Sequence, residues 1–422
     1  MSREENFKVP ETAAVIGLGY VGLPTATLLA SAGVKTLGVD INEKLLENLK
    51  SGEFKPKEPG LFDLLSEAVA SGNLTFSKTL ESRDCYIIAV PTPIHDDKTP
   101  GMEHVLSAAK SISEVIEPGQ LVVLESTSPP GATSMVAREI NKFRPDLDVS
   151  GKDPQSIKFA YCPERVLPGN AIYEIVNNER LVGGLTETAG VMAQSLYSKF
   201  TKGNILLCTD TEAEMAKLVE NSFRDVNIAF ANEIARISTH LGVQADRVIE
   251  LANRHPRVNI LSPGVGVGGH CISVDPWFLI DASPIEAKLI RTARDTNDLQ
   301  PLVMVGEVVQ ILKKNKFQRV ICLGLSYKPD SDDLRESPAL KFVELLDSRI
   351  GSSTELVVIE PNLSTFQSQI SPALISKATN LIPEIRETDL VIKLVDHSVF
   401  DSIDTSRAAL IRISGRGQVE IT

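Results

Sequence analysis

Short apolar runs separated by amphipathic segments fill the first part of the chain. Val, Ile, Leu and Ala dominate these runs, which have the length of strands rather than helices. Strands that alternate with helices predict a parallel, doubly wound sheet, in which ligands bind at the carboxyl ends of the strands. The strands are predicted at residues 12–17, 35–40, 84–90, 121–126 and 158–161, the last of them completing the sheet.

A long helical pattern fills the middle of the chain. Apolar residues recur at helical spacing from about residue 212 to residue 241, and Gly242 supplies a stop. Two more helices are predicted at about 285–295 and 302–313, with a turn at Pro301 between them. This part of the chain is therefore expected to be helical.

Strand and helix alternation restarts in the last third, with strands predicted at 319–325, 355–359 and 389–394. The predicted fold is α/β: two Rossmann-like doubly wound parallel-sheet domains joined by a central helical domain with one long helix. The predicted domain bounds are 1–208 for the first Rossmann domain, 209–314 for the central domain and 315–422 for the second Rossmann-like domain.

Composition narrows the possible classes of protein. The chain has 422 residues, of which 42% are apolar and 23% charged, as in ordinary globular proteins with more than one core. A net charge of −12 argues against nucleic acid and anionic membranes as partners. The five cysteines are scattered without a C-x-x-C pair, which predicts neither a disulfide framework nor a metal site. With no signal peptide and no apolar run of about 18 residues, a reducing cytoplasm is expected.

The first strand runs into a glycine motif that opens a helix, the context in which G-x-G-x-x-G binds a pyrophosphate. Asp40 ends the second strand, 23 residues after Gly17, where its carboxylate can accept hydrogen bonds from the ribose hydroxyls and would repel a 2′-phosphate. This favours NAD over NADP, the alternative being a glycine-rich turn without a nucleotide. The predicted cofactor residues here are Gly17, Gly19, Tyr20, Val21, Gly22 and Asp40.

Polar residues follow three further strands. Thr92 and Thr127 are expected beside the nicotinamide half of the cofactor, although a hydroxyl capping the next helix would explain either one. Glu164 and Arg165 leave the strand at 158–161, where the alternative is a surface salt bridge.

The long helix carries Lys217, Asn221 and Arg224 at i, i+4 and i+7, which places three polar side chains on one stripe. The neighbouring Phe223, Val226 and Ile228 are expected to leave little exposed surface, which favours a functional site. A solvated charged face is the alternative.

Residues 262–276 form a glycine-rich loop in which Gly264, Gly266, Gly268 and Gly269 lead to Cys271, and Asp275 follows. Glycines allow the backbone to approach a ligand closely, and a buried small cysteine is the alternative reading. An anion-binding cluster is expected just before the loop, at Arg254, His255 and Arg257, although a histidine there could simply be packed. Tyr327, Lys328 and Arg335, in the first loop of the last third, can hold a uridine and its phosphates, unless this is an ordinary charged loop.

These residues form a pattern that resembles the nucleotide-sugar 6-dehydrogenases, the family that includes UDP-glucose and GDP-mannose dehydrogenases. Three longer stretches are similar to the branch that oxidises UDP-N-acetylmannosamine, with UDP-N-acetylglucosamine or UDP-glucose as the alternative substrate: 161–169, 221–229, and 254–259 with 269–277. The motifs that carry the resemblance are Gly17-x-Gly19-Tyr20-x-Gly22-Leu23-Pro24, Ser126-Thr127-x-x-x-Gly131, Pro163-Glu164, Lys217 with Asn221, Gly268-Gly269-x-Cys271-x-x-x-Asp275, and Lys328-Pro329-x-x-x-Asp333-x-Arg335-Glu336-Ser337.

The resemblance implies a four-electron oxidation of a 6-hydroxymethyl group to a carboxylate with two NAD⁺, in a homodimer or higher homo-oligomer in which Arg257 reaches the partner's site. Under this hypothesis Lys217, or a water held by Asn221 and Asp275, takes the hydroxyl proton, and Cys271 attacks the aldehyde to give a thiohemiacetal and then a thioester. The catalytic set is Cys271, Lys217, Asn221, Asp275, Glu164 and Thr127. Arg335 joins the cofactor set, and the substrate set is Arg165, Val166, Lys217, Asn221, Arg224, His255, Arg257, Gly268, Tyr327 and Lys328.

One stretch departs from the family pattern, since Ser414-Gly415-Arg416-Gly417 stands where the family has Asp-x-Arg/Lys-Gly. Two other function classes stay open. One is a dehydrogenase of the β-hydroxyacid type that performs a single two-electron step, and the other is a catalytically silent binder of sugar nucleotides.

Overall fold

The computed structural model describes residues 8–56, 58–151, 153–166, 169–351, 354–413 and 419. Contacts divide the chain into two compact units. The first runs to Val219 and includes Trp277–Ala282, and the second comprises Glu220–Pro276 and the chain from Ser283 onward. The three domain bounds predicted from the sequence stay a prediction. Residues 414–417, where the sequence departs from the family pattern, lie outside the described residues.

The first unit contains an eight-stranded sheet with the order β3-β2-β1-β4-β5-β6-β7-β8, in which only the β6–β7 pair is antiparallel. Its strands are β1 (Thr12–Ile16), β2 (Lys35–Val39), β3 (Leu74–Ser77), β4 (Cys85–Ile88), β5 (Leu121–Leu124), β6 (Lys158–Tyr161), β7 (Arg180–Gly184) and β8 (Ile205–Thr209). The helices are α1 (Gly22–Ser31), α2 (Glu43–Ser51), α3 (Leu61–Ala70), α4 (Glu103–Ser113), α5 (Ala132–Phe143), α6 (Ala171–Asn177) and α7 (Glu187–Tyr197).

Continuous apolar runs form the central strands because both faces of a parallel sheet are covered by helices. Every residue of β4 and β5 is buried accordingly. The prediction that residues 158–161 form the last strand was wrong, since β7 and β8 follow. β7 begins with an arginine and ends in two glycines, and β8 lies at the sheet edge with Leu206 and Leu207 nearly half exposed, so neither has the pattern of a buried strand.

The middle of the chain is helical, as predicted. Its helices are α8 (Asp210–Leu241, 32 residues), α9 (Ala245–Ala252), α10 (Asp275–Ala282) and α11 (Lys288–Lys314, 27 residues). In the described part of the chain, no helix is long and apolar enough to cross a membrane.

The predicted turn at Pro301 was wrong, because α11 continues through this proline. A proline inside a helix costs about 3 kcal/mol, since its ring removes a hydrogen-bond donor and crowds the preceding turn. Here Pro301 is buried and is followed by buried Met304, Val305 and Val308, whose packing offsets that cost. Local propensity is overridden by tertiary contacts.

A second, five-stranded sheet lies in the second unit, is parallel throughout and has the order β11-β10-β9-β12-β13. The predicted fold class is confirmed by the two mainly parallel sheets and the long helix that lies between them in the chain. The strands are β9 (Arg319–Leu323), β10 (Glu355–Ile359), β11 (Ala378–Thr379), β12 (Asp389–Lys393) and β13 (Ala409–Arg412). The helices are α12 (Pro338–Asp347), α13 (Leu363–Phe366), α14 (Pro372–Ile375) and a 3₁₀ turn at Ser398–Ser402.

Candidate functional site

The glycine motif lies between the end of β1 and the start of α1. Gly17 has φ of +92°, and a Cβ there would lie 2.5 Å from the carbonyl oxygen of Ala89. A Cβ on Gly22 would lie 1.9 Å from the carbonyl oxygen of Gly17, whereas Gly19 has no neighbour within 4 Å of its Cβ position. The first and last glycines are therefore required by packing, and the middle one leaves an open backbone surface.

Asp40 closes this site at the end of β2. Its carboxylate accepts hydrogen bonds from the backbone N–H groups of Leu18 and Asn42, both at 2.8 Å, and so is fixed beside the glycine turn. Val21 caps α1 without a side-chain hydrogen bond, and the first turn has no acidic side chain, which leaves a positive helix end for a phosphate. These residues fit the pyrophosphate and ribose of a dinucleotide.

The structure brings Thr92 and Thr127 together, and their place beside the nicotinamide stays a prediction. The Thr92 hydroxyl donates to the carbonyl oxygen of Thr127 at 2.6 Å, which ties the exits of β4 and β5 to each other. The loop after Thr127 is held from α8, because the buried Glu214 carboxylate accepts from Gly131 N at 2.5 Å and from Thr133 N at 2.8 Å. Glu214 thereby caps α5.

The sequence analysis missed a buried cluster around Arg180. Its guanidinium lies 3.6 Å from Glu125 and 3.5 Å from Glu164, and stacks on the Tyr197 ring at 4.8 Å. Thr25 and Tyr197 donate hydroxyl hydrogen bonds to Glu125, both at 3.1 Å. Glu164 is 8% exposed and Glu125 is 1% exposed. Glu164 therefore belongs to a buried salt bridge, whereas the alternative expected from the sequence was a surface salt bridge.

A single guanidinium faces two carboxylates in this cluster. Burial raises the pKa of Glu125 to about 7; the charge of Arg180 acts against this shift, and that of Glu164 adds to it. Oε2 of Glu164, the oxygen that lies 3.5 Å from Arg180, accepts no hydrogen bond among the described residues. An acid directly after a buried parallel strand, Glu125, was the signal in the sequence that could have indicated this cluster.

The polar stripe of α8 is more exposed than the sequence predicted. Lys217 and Asn221 are half-buried, but Arg224 is exposed. The expectation that Phe223 leaves little exposed surface was wrong, since this side chain is 66% exposed. The stripe therefore faces a partly open surface at Arg224.

The second unit brings Asn221 and Asp275 together. Nδ2 of Asn221 donates to Oδ2 of Asp275 at 2.6 Å, and Asp275 is 2% exposed. Half-buried Cys271 lies in the turn before α10, where its carbonyl oxygen accepts from Asp275 N at 2.8 Å. Cys271 and Asp275 are thereby held in one short turn at the N-terminus of α10.

Tyr327 covers the glycine pair that precedes the cysteine. A Cβ on Gly268 would lie 2.6 Å from the carbonyl oxygen of Glu336, and a Cβ on Gly269, which has φ of +85°, would lie 2.9 Å from the Tyr327 ring. Gly269 N donates to the carbonyl oxygen of Arg335 at 3.0 Å. The glycines allow the cysteine loop to contact the loop that carries Tyr327 and Arg335.

The loop that carries Tyr327 and Arg335 interacts electrostatically with the Cys271 thiol. A hydrogen bond from Arg335 to Asp333 is the largest cause of the raised pKa of Arg335, and the thiolate charge of Cys271 contributes. Lys328 Nζ lies over the Tyr327 ring at 5.6 Å. The predicted residues Tyr327, Lys328 and Arg335 thus lie in one loop, and Arg335 lies within electrostatic range of Cys271.

The remaining predicted residues lie at the surface or nearly so. Arg254, His255 and Arg257 are exposed, and Arg254 forms an ion pair with Glu250 at 3.2 Å. Arg165 and Val166 are half-buried after β6. Their roles in substrate binding stay predictions.

Three family models together match nearly the whole chain. They describe the UDP-glucose/GDP-mannose dehydrogenase family: its NAD binding domain matches residues 11–201, its central domain residues 211–299 and its UDP binding domain residues 321–414. The chain belongs to the UDP-glucose/GDP-mannose dehydrogenase family. The predicted NAD cofactor and the assignment as an NAD-dependent oxidoreductase are confirmed, and the glycine motif with Asp40 lies in the NAD binding domain.

Relatives of this family member include a UDP-N-acetyl-D-mannosamine dehydrogenase of Escherichia coli, 43% identical, with 93% of this chain and 95% of the relative covered. An NDP-N-acetyl-D-galactosaminuronic acid dehydrogenase of Ralstonia nicotianae is 44% identical, with 94% and 93% covered. Among solved structures, a UDP-D-ManNAc dehydrogenase from Pyrococcus horikoshii has a TM-score of 0.84 at 35% identity, covering 96% of this chain and 95% of that one.

Proposed function

We propose that this enzyme oxidises the 6-hydroxymethyl group of UDP-N-acetyl-D-mannosamine to the carboxylate. The observation that carries the proposal is the Cys271 turn, with its Asn221–Asp275 hydrogen bond, in a chain that matches the family along nearly its whole length. UDP-N-acetyl-D-mannosamine dehydrogenases from several bacteria, at 43–44% identity, support the choice of sugar.

Two observations are the reason to test other UDP-sugars as substrates. UDP-N-acetyl-D-glucosamine and UDP-glucose differ from the proposed substrate only around C2 of the sugar. The relative of Ralstonia nicotianae adds a galacto-configured N-acetyl sugar, which the sequence reasoning had not considered. Since an acetamido or hydroxyl group of inverted configuration leaves a buried polar group unpaired, a selective site should prefer one of these sugars by orders of magnitude.

The first step requires a group that accepts the hydroxyl proton and donors that stabilise the alkoxide. Lys217 and Asn221 are four residues apart on α8 and so lie on the same side of it. We assign Lys217, or a water held by Asn221 and Asp275, to take the proton, and the Lys217 ammonium and Asn221 amide to stabilise the developing charge. When bound, NAD accepts a hydride, and two equivalents account for the four electrons of the reaction.

The aldehyde is held covalently in the proposed second step. The Cys271 thiolate forms a bond to the aldehyde carbon, and a proton goes to the carbonyl oxygen, which gives a thiohemiacetal. Loss of two electrons and two protons converts this adduct to a thioester, and water then breaks the C–S bond to release the carboxylate and regenerate the thiol. A covalent adduct explains why no free aldehyde has to leave the enzyme.

Glu164 is assigned to orient the hydrolytic water, with Asp275 as the other candidate. The arrangement around Glu164 supports this role, because Oε2 lies 3.5 Å from Arg180 but accepts no hydrogen bond among the described residues, so it can accept one from a water. Thr127 is assigned to the same site from its place after β5 and its contact with Thr92.

We propose further that the enzyme is at least a homodimer and works in the cytoplasm. Support for the dimer comes from apolar side chains of α8 that are about half to two-thirds exposed, among them Phe223, Phe230, Ile237 and Leu241. Arg257, exposed in this chain, is assigned to the partner's active site. A catalytic thiol needs a reducing compartment, which supports the cytoplasm.

The proposal is tested by measuring NADH release with UDP-N-acetyl-D-mannosamine and its gluco and galacto isomers, and with UDP-glucose, each limiting under excess NAD⁺. Two NADH per UDP-N-acetyl-D-mannosamine, with kcat/KM highest for that sugar, is the expected result. Highest kcat/KM for another sugar overturns the substrate, one NADH per sugar indicates a single two-electron step, and no NADH with any sugar indicates a binder.

A further inference from the structure

Helices α8 and α11 share a layer of buried polar side chains. Asp225 and Asn232 on α8 and Arg294, Asn297 and Gln300 on α11 are each no more than 1% exposed. Oδ1 of Asp225 accepts from Nη1 of Arg294 and from Nδ2 of Asn297, the latter at 2.9 Å. Asn232 donates to Oδ1 of Asn297 at 3.0 Å, so one continuous network joins the two helices.

This network holds the cysteine loop at two points. At the start of the loop, the Asn232 Oδ1 accepts from Gly264 N at 2.9 Å, and Nε2 of Gln300 donates to the Gly264 carbonyl oxygen at 3.4 Å. At its other end, Nη1 of Arg294 donates to the carbonyl oxygen of Ile272 at 3.4 Å. Ile272 is the residue directly after Cys271, so Arg294 acts on the backbone of the nucleophile's own turn.

Holding two helices together does not explain such a layer. A buried ion pair loses much of its Coulomb energy to desolvation, and apolar residues of similar size commonly stabilise as well or better. In this layer Oδ2 of Asp225 and Nε of Arg294 are buried with no hydrogen bond among the described residues, which adds to the cost. The layer supplies something that apolar packing cannot, because a carbonyl oxygen can be held only by a hydrogen-bond donor.

We infer that Arg294 is a positioning residue for Cys271, and that Asn232 is the second anchor of the same loop. Arg294 fixes the Ile272 carbonyl and thereby the direction of the thiol, while Asn232 fixes the loop at Gly264. The inference rests on the proposed function in that Cys271 is taken as the nucleophile. It requires no contact of Arg294 with the substrate.

The same unit offers a matched control. Arg319 and Asp389 form another buried arginine–aspartate pair, with Nη2 of Arg319 to Oδ2 of Asp389 at 2.6 Å and Nε to Oδ1 at 3.1 Å. This pair joins β9 to β12. Its other hydrogen bonds among the described residues run to Glu384 and Arg386, away from Gly264 and Ile272, so its loss should destabilise the fold without releasing the cysteine loop.

The test compares Arg294→Met, Arg294→Lys, Asn232→Ala and Arg319→Met by hydrogen exchange of the full-length enzyme and by steady-state kinetics with UDP-N-acetyl-D-mannosamine. In Arg294→Met and Asn232→Ala, the backbone amides of residues 262–276 should exchange about tenfold faster than in the wild type. Arg294→Met should also lower kcat about tenfold or more, with a smaller change in KM. Arg294→Lys, which keeps a donor, should recover part of both effects. Arg319→Met should leave exchange of this segment within about twofold of the wild type.

Unchanged exchange and kcat in Arg294→Met would overturn the inference, as would an equal effect of Arg319→Met on residues 262–276. Should Arg294→Met not fold, Asn232→Ala decides in the same way. Hydrogen exchange needs no substrate, so the positioning role can fail or hold independently of the proposed reaction. If kcat of Cys271→Ser equals that of the wild type, the proposed reaction fails instead.

Discussion

Asn221 donates a hydrogen bond to Asp275 at 2.6 Å across 54 residues of sequence. Asp275 begins α10 and lies four residues after Cys271, whereas Asn221 lies on α8. This one contact therefore ties the long helix to the turn of the proposed nucleophile. Since Asp275 is 2% exposed, an unpaired carboxylate there would be costly.

Asn221→Ala should lower kcat by about 100-fold, because it removes both the alkoxide donor and a hydrogen-bond donor to Asp275. Initial rates of NADH formation measure this effect. Asn315→Ala, the same change at the exposed C-terminal end of α11, is the control and should keep kcat within about twofold. An Asn221→Ala enzyme as fast as the wild type would rule out both roles of the amide.

Lys217→Met should reduce kcat by about 100-fold with little change in KM, since the charge of the lysine matters most when the alkoxide develops. The steady-state constants for the UDP-sugar provide the measurement. The control is Lys142→Met, which removes only a surface ion pair with Glu139 and should be neutral. A rise in KM alone would make Lys217 a binding residue instead.

Gly268→Ala should destabilise the protein by about 2 kcal/mol and lower kcat, because the new Cβ would lie 2.6 Å from the Glu336 carbonyl oxygen and 2.7 Å from Cδ of Pro338. Thermal unfolding and NADH formation test both effects. Gly264→Ala, in the same loop, has no atom within 4 Å of the new Cβ and is the matched control. Equal behaviour of the two variants would contradict the close contact at Gly268.

The contribution of Glu125 to the free energy of unfolding should decrease as pH rises. Its pKa in the folded state, about 7, lies above the ordinary value of 4.5, so the folded protein binds the proton more tightly than the unfolded chain. This contribution is complete below about pH 4.5 and is lost as pH rises towards about 7, up to about 3 kcal/mol.

Glu125→Gln should therefore flatten the pH dependence of the thermal midpoint between about pH 5 and pH 8. Glu250→Gln, which changes an exposed carboxyl group, should leave the wild-type slope unchanged. The assignment of the proton to Glu125 would be wrong if Glu125→Gln kept that slope.

Sequence reasoning predicted the parts of this enzyme that depend on local patterns. The glycine turn with Asp40, the threonines that follow β4 and β5, and the cysteine loop with Asp275 were all expected from motif, spacing or strand exit. Each is encoded in a short stretch, because glycines and polar residues at strand ends have few structural uses. The Thr92–Thr127 and Asn221–Asp275 hydrogen bonds, which join separate segments, were not expected.

The features that sequence reasoning missed depend on contacts between distant segments. Arg180 lies in a strand that its own sequence does not predict, and its partner Glu125 lies 55 residues earlier. Pro301 ends a helix by local rules, yet buried Met304, Val305 and Val308 carry α11 past it. Arg294 contacts Ile272 only because α11 packs beside the cysteine loop. Tertiary packing decides all three.

The central claim is a four-electron oxidation through a covalent Cys271 adduct. The most direct measurement is the yield of NADH and uronate from limiting UDP-N-acetyl-D-mannosamine with excess NAD⁺, for the wild type, Cys271→Ser and Cys271→Ala. We predict two NADH and one uronate per sugar from the wild type and no uronate from either variant. Wild-type uronate yield from either variant would contradict the covalent step.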